Sequence, residues 1–468
     1  MTLITSISGI RGTIGGSVGD SLTPLDIIKF TSGYANWIKS NYKNKLKPKI
    51  VTGRDARISG PMVHSLVNNT LISLGIDVID CGLSTTPSVE MAVPYHDAQG
   101  GIIITASHNP KQWNALKLLN DKGEFVSAKD GDLILKYANA TQQYSEVNQL
   151  GFIQVDDQSI ERHIDEVLRL KLVNIDAIAA AKFCIVVDAV NSTGGIAVPM
   201  LLKKLGVENV VELYCEPNGQ FPHNPEPLPE NLTAISKEVI KAKAHLGIVV
   251  DPDVDRLALV CEDGEMFGEE YTLVAVSDYV LKHQKGNTVS NLSSTRALKD
   301  ITEKAGHKYS SAAVGEVNVV DKMKQTKAVI GGEGNGGVIY PELHYGRDAL
   351  AGIALFLSHL ALSKQSVSAL RKSYPNYYIS KNKIELTPEI KVDDILKEII
   401  ERYSKEEVDT TDGVKISFEK EWVHLRKSNT EPIIRIYAES SSETTASTLA
   451  SKIISDIKEV VSNTLAKV

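Results

Sequence analysis

The sequence predicts an α/β protein: three similar α/β domains with mixed, mainly parallel sheets, then a smaller C-terminal α+β domain. Three observations lead there. The chain has 468 residues, 42% hydrophobic and 23% charged, which is more than one core encloses and is the composition of a globular protein. One order of elements, strand, polar loop, helix, glycine and strand, recurs three times. Beyond about residue 370 that order gives way to alternating strands flanked by helices.

The first unit is "KIVTGRDARISGPMVHSLVNNTLISLGIDVIDCG", the second "FCIVVDAVNSTGGIAVPMLLKKLGVENVVELY" and the third "TVSNLSSTRALKDITEKAGHKYSSAAVG". Each helix ends on a glycine, Gly206 and Gly306 in the last two, where a left-handed residue can stop it. Strand, helix and strand in that order favour parallel pairing through a right-handed crossover. The remainder, "KNKIELTP", "DDILKEIIERYS", "GVKISFE", "EWVHLRKS" and "PIIRIYAES", predicts a largely antiparallel sheet with helices. The expected domains are 1–150, 151–258, 259–370 and 371–468.

Composition narrows the function. A net charge of −7 makes no electrostatic case for nucleic acid. Cys81, Cys184, Cys215 and Cys261 are far apart in apolar runs and read as buried thiols, neither zinc ligands nor a disulfide framework. No apolar run approaches membrane-spanning length and "MTLITSISGIRG" has no signal pattern, so no membrane partner and a cytoplasmic setting are expected.

Four polar constellations carry chemistry. The buried run "GGIIIT" empties into Ser107-His108-Asn109-Pro110, where parallel-sheet proteins place ligands; either Ser107 is presented as a nucleophile or Ser107 or Asn109 caps the next helix. In "HLGIVVDPDVDRLALV", Asp251, Asp253 and Asp255 alternate, so in an extended segment their carboxylates converge. At roughly 5 Å and an effective dielectric near 20 each pair repels by about 3 kcal/mol, which a cation would relieve. An all-oxygen set suits Mg²⁺. In "GGEGNGGVIYPELHYGRDA", five glycines surround Glu333 and Asn335, a backbone open to close approach with groups that pair with vicinal hydroxyls. In "LRKSNTEPIIRI", Arg426, Lys427, Ser428, Asn429 and Thr430 crowd into one turn, with Arg435 following, a cradle for a phosphate dianion.

In this order, with "SGIRG" ahead of them, the motifs "TASHNP", "DPDVDR", "GEGNGG" and "RKSNTEP" resemble the α-D-phosphohexomutase superfamily over nearly the whole chain. The resemblance implies four domains around one central cleft. It implies that Ser107 carries the transferred phosphoryl group and, with Asp251, Asp253 and Asp255, holds one Mg²⁺. Arg11 and Arg256 would contact the phosphoserine, and His108 and Lys117 would handle protons, Lys117 first. The implied reaction interconverts hexose 6-phosphate and 1-phosphate through a hexose 1,6-bisphosphate. Asn335 stands where familiar members have serine, and "GEGNGGVIYPELHYGRD" is similar to a branch containing phosphoglucosamine mutases and bifunctional phosphomannomutase/phosphoglucomutases. The amino sugar is the expected substrate and the bifunctional enzyme the alternative; a sugar phosphatase and a noncatalytic sugar-phosphate binder are remoter ones. The oligomeric state, monomer or homodimer, stays open.

Overall fold

A computed structural model describes residues 2–6, 9–42, 47–385, 392–427 and 433–465. Each of the three recurring units forms as the pattern requires. Lys49–Arg54 and Asp77–Leu83 pair in parallel across the helix Gly60–Ser73. Cys184–Asp188 and Asn209–Leu213 do so across Gly194–Lys204, and Asn287–Asn291 and Tyr309–Ala312 across Ala297–Lys304. The glycines that end the three helices, Gly75, Gly206 and Gly306, have φ of +74°, +80° and +79°.

Around these units lie a seven-stranded sheet and two four-stranded ones. Each gains an antiparallel return strand that follows a motif loop. Gly100–Ile104 returns as Trp113–Leu119, Leu246–Val250 as Leu257–Cys261, and Ala328–Glu333 as Gly337–Ile339. The Ser107 loop, the aspartate loop and the glycine loop therefore occupy the same position in three sheets, at the carboxyl end of the strand before the return. The fourth sheet, in the order Tyr378–Glu385, Ile433–Ser440, Trp422–Lys427, Val414–Ser417 and Glu407–Asp409, is antiparallel throughout.

The sheets extend past two of the expected boundaries. Ile153–Val155 joins the edge of the first sheet beside Asp77–Leu83, beyond residue 150. Leu257–Cys261 completes the second sheet, so a boundary at 258 would cut a hairpin. The helix Ala349–Ser363, apolar on all sides, is buried along most of its length in a core continuous with that of the second sheet, as an all-round apolar helix requires. Among the cysteines, Cys81 and Cys261 are buried, Cys184 and Cys215 only half-buried, and all four are free.

Candidate active site

The three motif loops meet. Ser107 is buried and takes a left-handed backbone, φ +48°, which is uncommon for a residue with a Cβ. Its amide N–H donates to Thr105 Oγ1 at 2.9 Å and its hydroxyl donates to Asp251 Oδ2 at 2.7 Å. His108 Nδ1 lies 3.4 Å from the same hydroxyl. Neither Ser107 nor Asn109 caps a helix, because a strand rather than a helix follows the loop.

Behind Ser107 stands a residue that pattern reading passed over. Arg57 is 1% exposed. Its Nε donates to Asp55 Oδ2 at 3.0 Å, Nη1 to the carbonyls of Pro110 and Trp113 at 2.8 and 2.9 Å, and Nη2 to those of Ser107 and Asn109 at 2.5 and 2.6 Å. All five guanidinium N–H groups are used, three of them on the loop that carries Ser107 and one on Trp113, where the return strand begins. The only signal in the text was a second arginine in Gly-Arg-Asp-Ala-Arg after a strand.

The aspartates converge as their alternation predicts. Ligand atoms of Asp251, Asp253 and Asp255 lie within 4.8 Å of one another, and all three residues are fully buried. Val254 between them has φ +63°, a costly conformation for a β-branched residue. The amides of Asp255 and Arg256 donate to Asp251 Oδ1, and Thr86 Oγ1 donates to Asp253 Oδ2 at 2.6 Å, so a helix of the first domain braces the loop of the second. Lys117 Nζ reaches Asp253 Oδ2 at 2.7 Å and Asp255 Oδ2 at 3.2 Å. Burial opposes its charge, but the two carboxylates outweigh that and raise its pKa. Burial and the two neighbouring carboxylates push Asp251 well above the usual range. Burial works the same way on Asp253, yet Lys117 holds it below.

Two oxygens of this cluster, Asp253 Oδ1 and Asp255 Oδ1, are buried without a hydrogen-bond partner. Buried carboxylate oxygens are costly unless paired or bound to a cation. The donor set, three carboxylates and the Ser107 hydroxyl, suits a hard divalent ion, and these residues fit one.

Arg347, quoted within the glycine motif but given no role from sequence, ties that loop to the aspartates. Its guanidinium meets Asp255 Oδ2 at 2.7 Å, Glu333 Oε2 at 2.8 Å and Glu316 Oε2 at 3.0 Å. Burial raises the Glu316 pKa to about 7 although Arg347 counters it. Glu333 also accepts from Asn291 Nδ2 and the Gly315 amide, and Asn335 Oδ1 accepts from the Gly337 amide at 3.2 Å. Much of the acceptor capacity expected to face a sugar is thus used to shape the loop. Gly336, φ +85°, lets the loop lie against the strand after the aspartates: a Cβ there would stand 2.3 Å from the Leu257 carbonyl oxygen.

Arg256, Arg347 and Arg11 bear on His108 beside this centre. Arg256 is 8% exposed with Nε unpartnered, and its Nη1 is 3.7 Å from Glu226 Oε1. Arg11 Nε is likewise buried and unpartnered; burial, and then the charge of Arg435, lower its pKa. Burial and Arg256 push His108 down to about 2, leaving a neutral imidazole among arginines. Arg426 Nε pairs with Asp412 Oδ2 at 2.8 Å beside Arg435 on the next strand. Ser428, Asn429 and Thr430 lie outside the described residues.

Comparison with known proteins agrees with this geometry. The four domain models described as phosphoglucomutase/phosphomannomutase, α/β/α domains I, II and III and C-terminal domain, match residues 3–145, 161–264, 268–378 and 383–455. A phosphoglucomutase/phosphomannomutase of Thermococcus kodakarensis is 34% identical, over 92% of this chain and 94% of its own. A phosphoglucosamine/phosphogalactosamine mutase of Sulfurisphaera tokodaii is 31% identical, over 97% and 98%. In fold, a phosphoglucomutase/phosphomannomutase family protein of Burkholderia thailandensis superposes with a TM-score of 0.83 over 98% of each chain, at 24% identity. Four consecutive domain models of one family account for most of the sequence, so the chain belongs to the phosphoglucomutase/phosphomannomutase family.

Proposed function

We propose that the enzyme interconverts hexose 6-phosphate and hexose 1-phosphate through phospho-Ser107 and a hexose 1,6-bisphosphate, with glucosamine 6-phosphate and glucosamine 1-phosphate as its preferred pair. The observation that carries the mechanism is the 2.7 Å bond from Ser107 Oγ to Asp251 beside two unpartnered carboxylate oxygens. Ser107 Oγ, Asp251, Asp253 and Asp255 would hold Mg²⁺, which when bound neutralises charge on the phosphoryl oxygens.

The chain's own residues do the rest. Phospho-Ser107 gives its PO₃ group to the free hydroxyl of the sugar: the new P–O bond forms as the bond to Ser107 Oγ breaks, and the proton lost by the sugar hydroxyl ends on Ser107 Oγ. Lys117, charged and paired with Asp253 and Asp255, and His108, whose Nδ1 is 3.4 Å from Ser107 Oγ, are the proton partners, Lys117 first. Arg11, Arg256 and His108 bear on the phosphoryl side. Such transfers rest on positioning and on stabilising charge at the equatorial oxygens. The bisphosphate then turns over within the cleft, its far phosphate held by Arg426, Ser428, Asn429, Thr430 and Arg435 while Glu333 and Asn335 hold the ring. Phosphate transfer back to Ser107 completes the cycle.

The amino-sugar preference is supported by relatives named probable phosphoglucosamine mutase, such as that of Pyrococcus horikoshii at 31% identity. The 34% identical phosphoglucomutase/phosphomannomutase favours a second reading, a bifunctional enzyme for glucose and mannose phosphates. Parallel kinetics on the three hexose 6-phosphates, each with a catalytic trace of its bisphosphate, decide between them. A kcat/KM for the amino sugar no greater than for the neutral sugars overturns the first reading. Ser107→Ala should abolish isomerisation while substrate still binds; turnover near wild type refutes the phosphoserine role.

A further inference from the structure

Among the described residues a second group of ligand-type atoms converges away from the aspartates. His163 Nε2 lies 2.8 Å and His344 Nε2 3.2 Å from Asp348 Oδ2, and the three atoms fall within 4.8 Å of one another. Asp348 Oδ1 and His163 Nδ1 are engaged elsewhere and His344 Nδ1 faces Glu90, so the three facing atoms are the ones placed to share a guest. Asp348 Oδ1 caps the helix Ala349–Ser363, accepting from the amides of Leu350 and Ala351. His163 Nδ1 is 2.9 Å from Ser88 Oγ. His344 Nδ1 is 3.5 Å from Glu90 Oε2. Each imidazole thus has an outer partner on one nitrogen and points the other at Asp348, which is how metal-bound histidines are held in orientation.

Glu90 is the independent sign that something is missing. It is 2% exposed, and both of its carboxylate oxygens lack a hydrogen-bond partner. While His344 donates its Nε2 proton to Asp348, a neutral ring has none on Nδ1 to offer Glu90. A cation on Nε2 moves the ring proton to Nδ1, where it faces Glu90.

We propose that His163 Nε2, His344 Nε2 and Asp348 Oδ2 bind a second metal ion, of the borderline imidazole-preferring class typified by Zn²⁺. Two imidazoles and one carboxylate leave a fourth, tetrahedral position for water. That position lies on the His344 side, where the side chain is 13% exposed against 0% for His163 and 1% for Asp348. Metal–nitrogen bonds of about 2.0–2.1 Å at a tetrahedral centre require the ligands to spread by a few tenths of an ångström from their present hydrogen-bonded spacing. The ion fastens the helix Thr86–Tyr95, which carries Ser88 and Glu90, to the helix Ser159–Arg169, which carries His163, and both to the start of Ala349–Ser363. Its role is structural: it joins the first three domains one residue away from Arg347, the side chain that reaches Asp255.

Co²⁺ titration of the metal-stripped full chain in excess Mg²⁺ tests this. The expected result is one tightly held Co²⁺ per chain with the intense visible absorption of a tetrahedral centre, displaced by one equivalent of Zn²⁺. His163→Gln and His344→Gln should each abolish the band, Asp251→Asn should leave it, and Glu90→Gln should weaken binding by about 10–100-fold. Because a core histidine variant could misfold, Zn²⁺-dependent melting is the companion measurement: Zn²⁺ should raise the wild-type Tm and not that of folded His344→Gln. No tetrahedral band and no Zn²⁺-dependent Tm shift in the wild type, or a band that survives both histidine variants or vanishes with Asp251→Asn, overturns the site. The mutase reading stands or falls separately, on Ser107.

Discussion

At the scale of residues, one buried guanidinium holds the Ser107 loop in its unusual shape. Ser107 sits at φ +48°, and the four carbonyls held by Arg57 are three of the loop's own and that of Trp113, where the return strand begins. Lysine has a single flexible ammonium with three donors and cannot reproduce a planar five-donor fork. Arg57→Lys should therefore lower kcat by about 100-fold, the scale expected of an ångström's misplacement, with KM little changed. Arg57→Ala also strands Asp55, and breaking a buried pair costs about 3–5 kcal/mol, so a lower Tm should accompany its loss of rate. A kcat for Arg57→Lys within a few-fold of wild type would show that the loop holds its shape unaided. Ser107 and the aspartates were legible because a hydroxyl and alternating carboxylates after buried strands have few other uses. Arg57 and Arg347 were not: a charged residue near a strand end reads as solvated, and only the fold shows which carbonyls and carboxylates surround it.

Among elements, the recurring helices and their glycine stops were legible because each is local: an apolar stretch, then one residue that must take positive φ. Gly206 and Gly306 share that conformation but not their surroundings. A Cβ on Gly306 meets open space, whereas one on Gly206 would stand 2.7 Å from the Ala179 Cβ. Gly306→Ala should cost about 1–2 kcal/mol of left-handed strain alone, and Gly206→Ala clearly more, since the helix Ile175–Ala181 must also shift. Urea melts of the two variants check this; equal losses would mean that the Ala179 contact relaxes freely. The return strands were less legible. Leu257–Cys261 is buried on both faces, so it has no alternation to reveal its direction, and Ile153–Val155 is three exposed residues with no run to announce a strand.

Across the whole molecule, acidic groups of the second and third domains are buried, and their protonation couples folding to pH and metal. Asp251 has its pKa raised well above the ordinary value, chiefly by burial, and burial raises Glu316 to about 7. An acid that holds its proton more tightly when folded favours folding fully below its unfolded pKa of about 4. That advantage fades as pH rises toward the folded pKa. Asp253 and Asp348 work in the opposite sense: Lys117 for the first and His163 for the second offset burial and hold the pKa down, so their support is present above about pH 4 and disappears in stronger acid. Between pH 5 and pH 8 the raised acids dominate the change, because the depressed ones are already ionised. A divalent ion on the aspartates removes the penalty of charging Asp251 and gains most where that penalty is greatest. The rise in Tm produced by Mg²⁺ over a chelator should therefore be larger at pH 8 than at pH 5, and Asp251→Asn should shrink it at pH 8. An equal rise at both values would mean that Asp251 is already ionised at pH 5 and that the folded chain tolerates the crowded carboxylates without a cation.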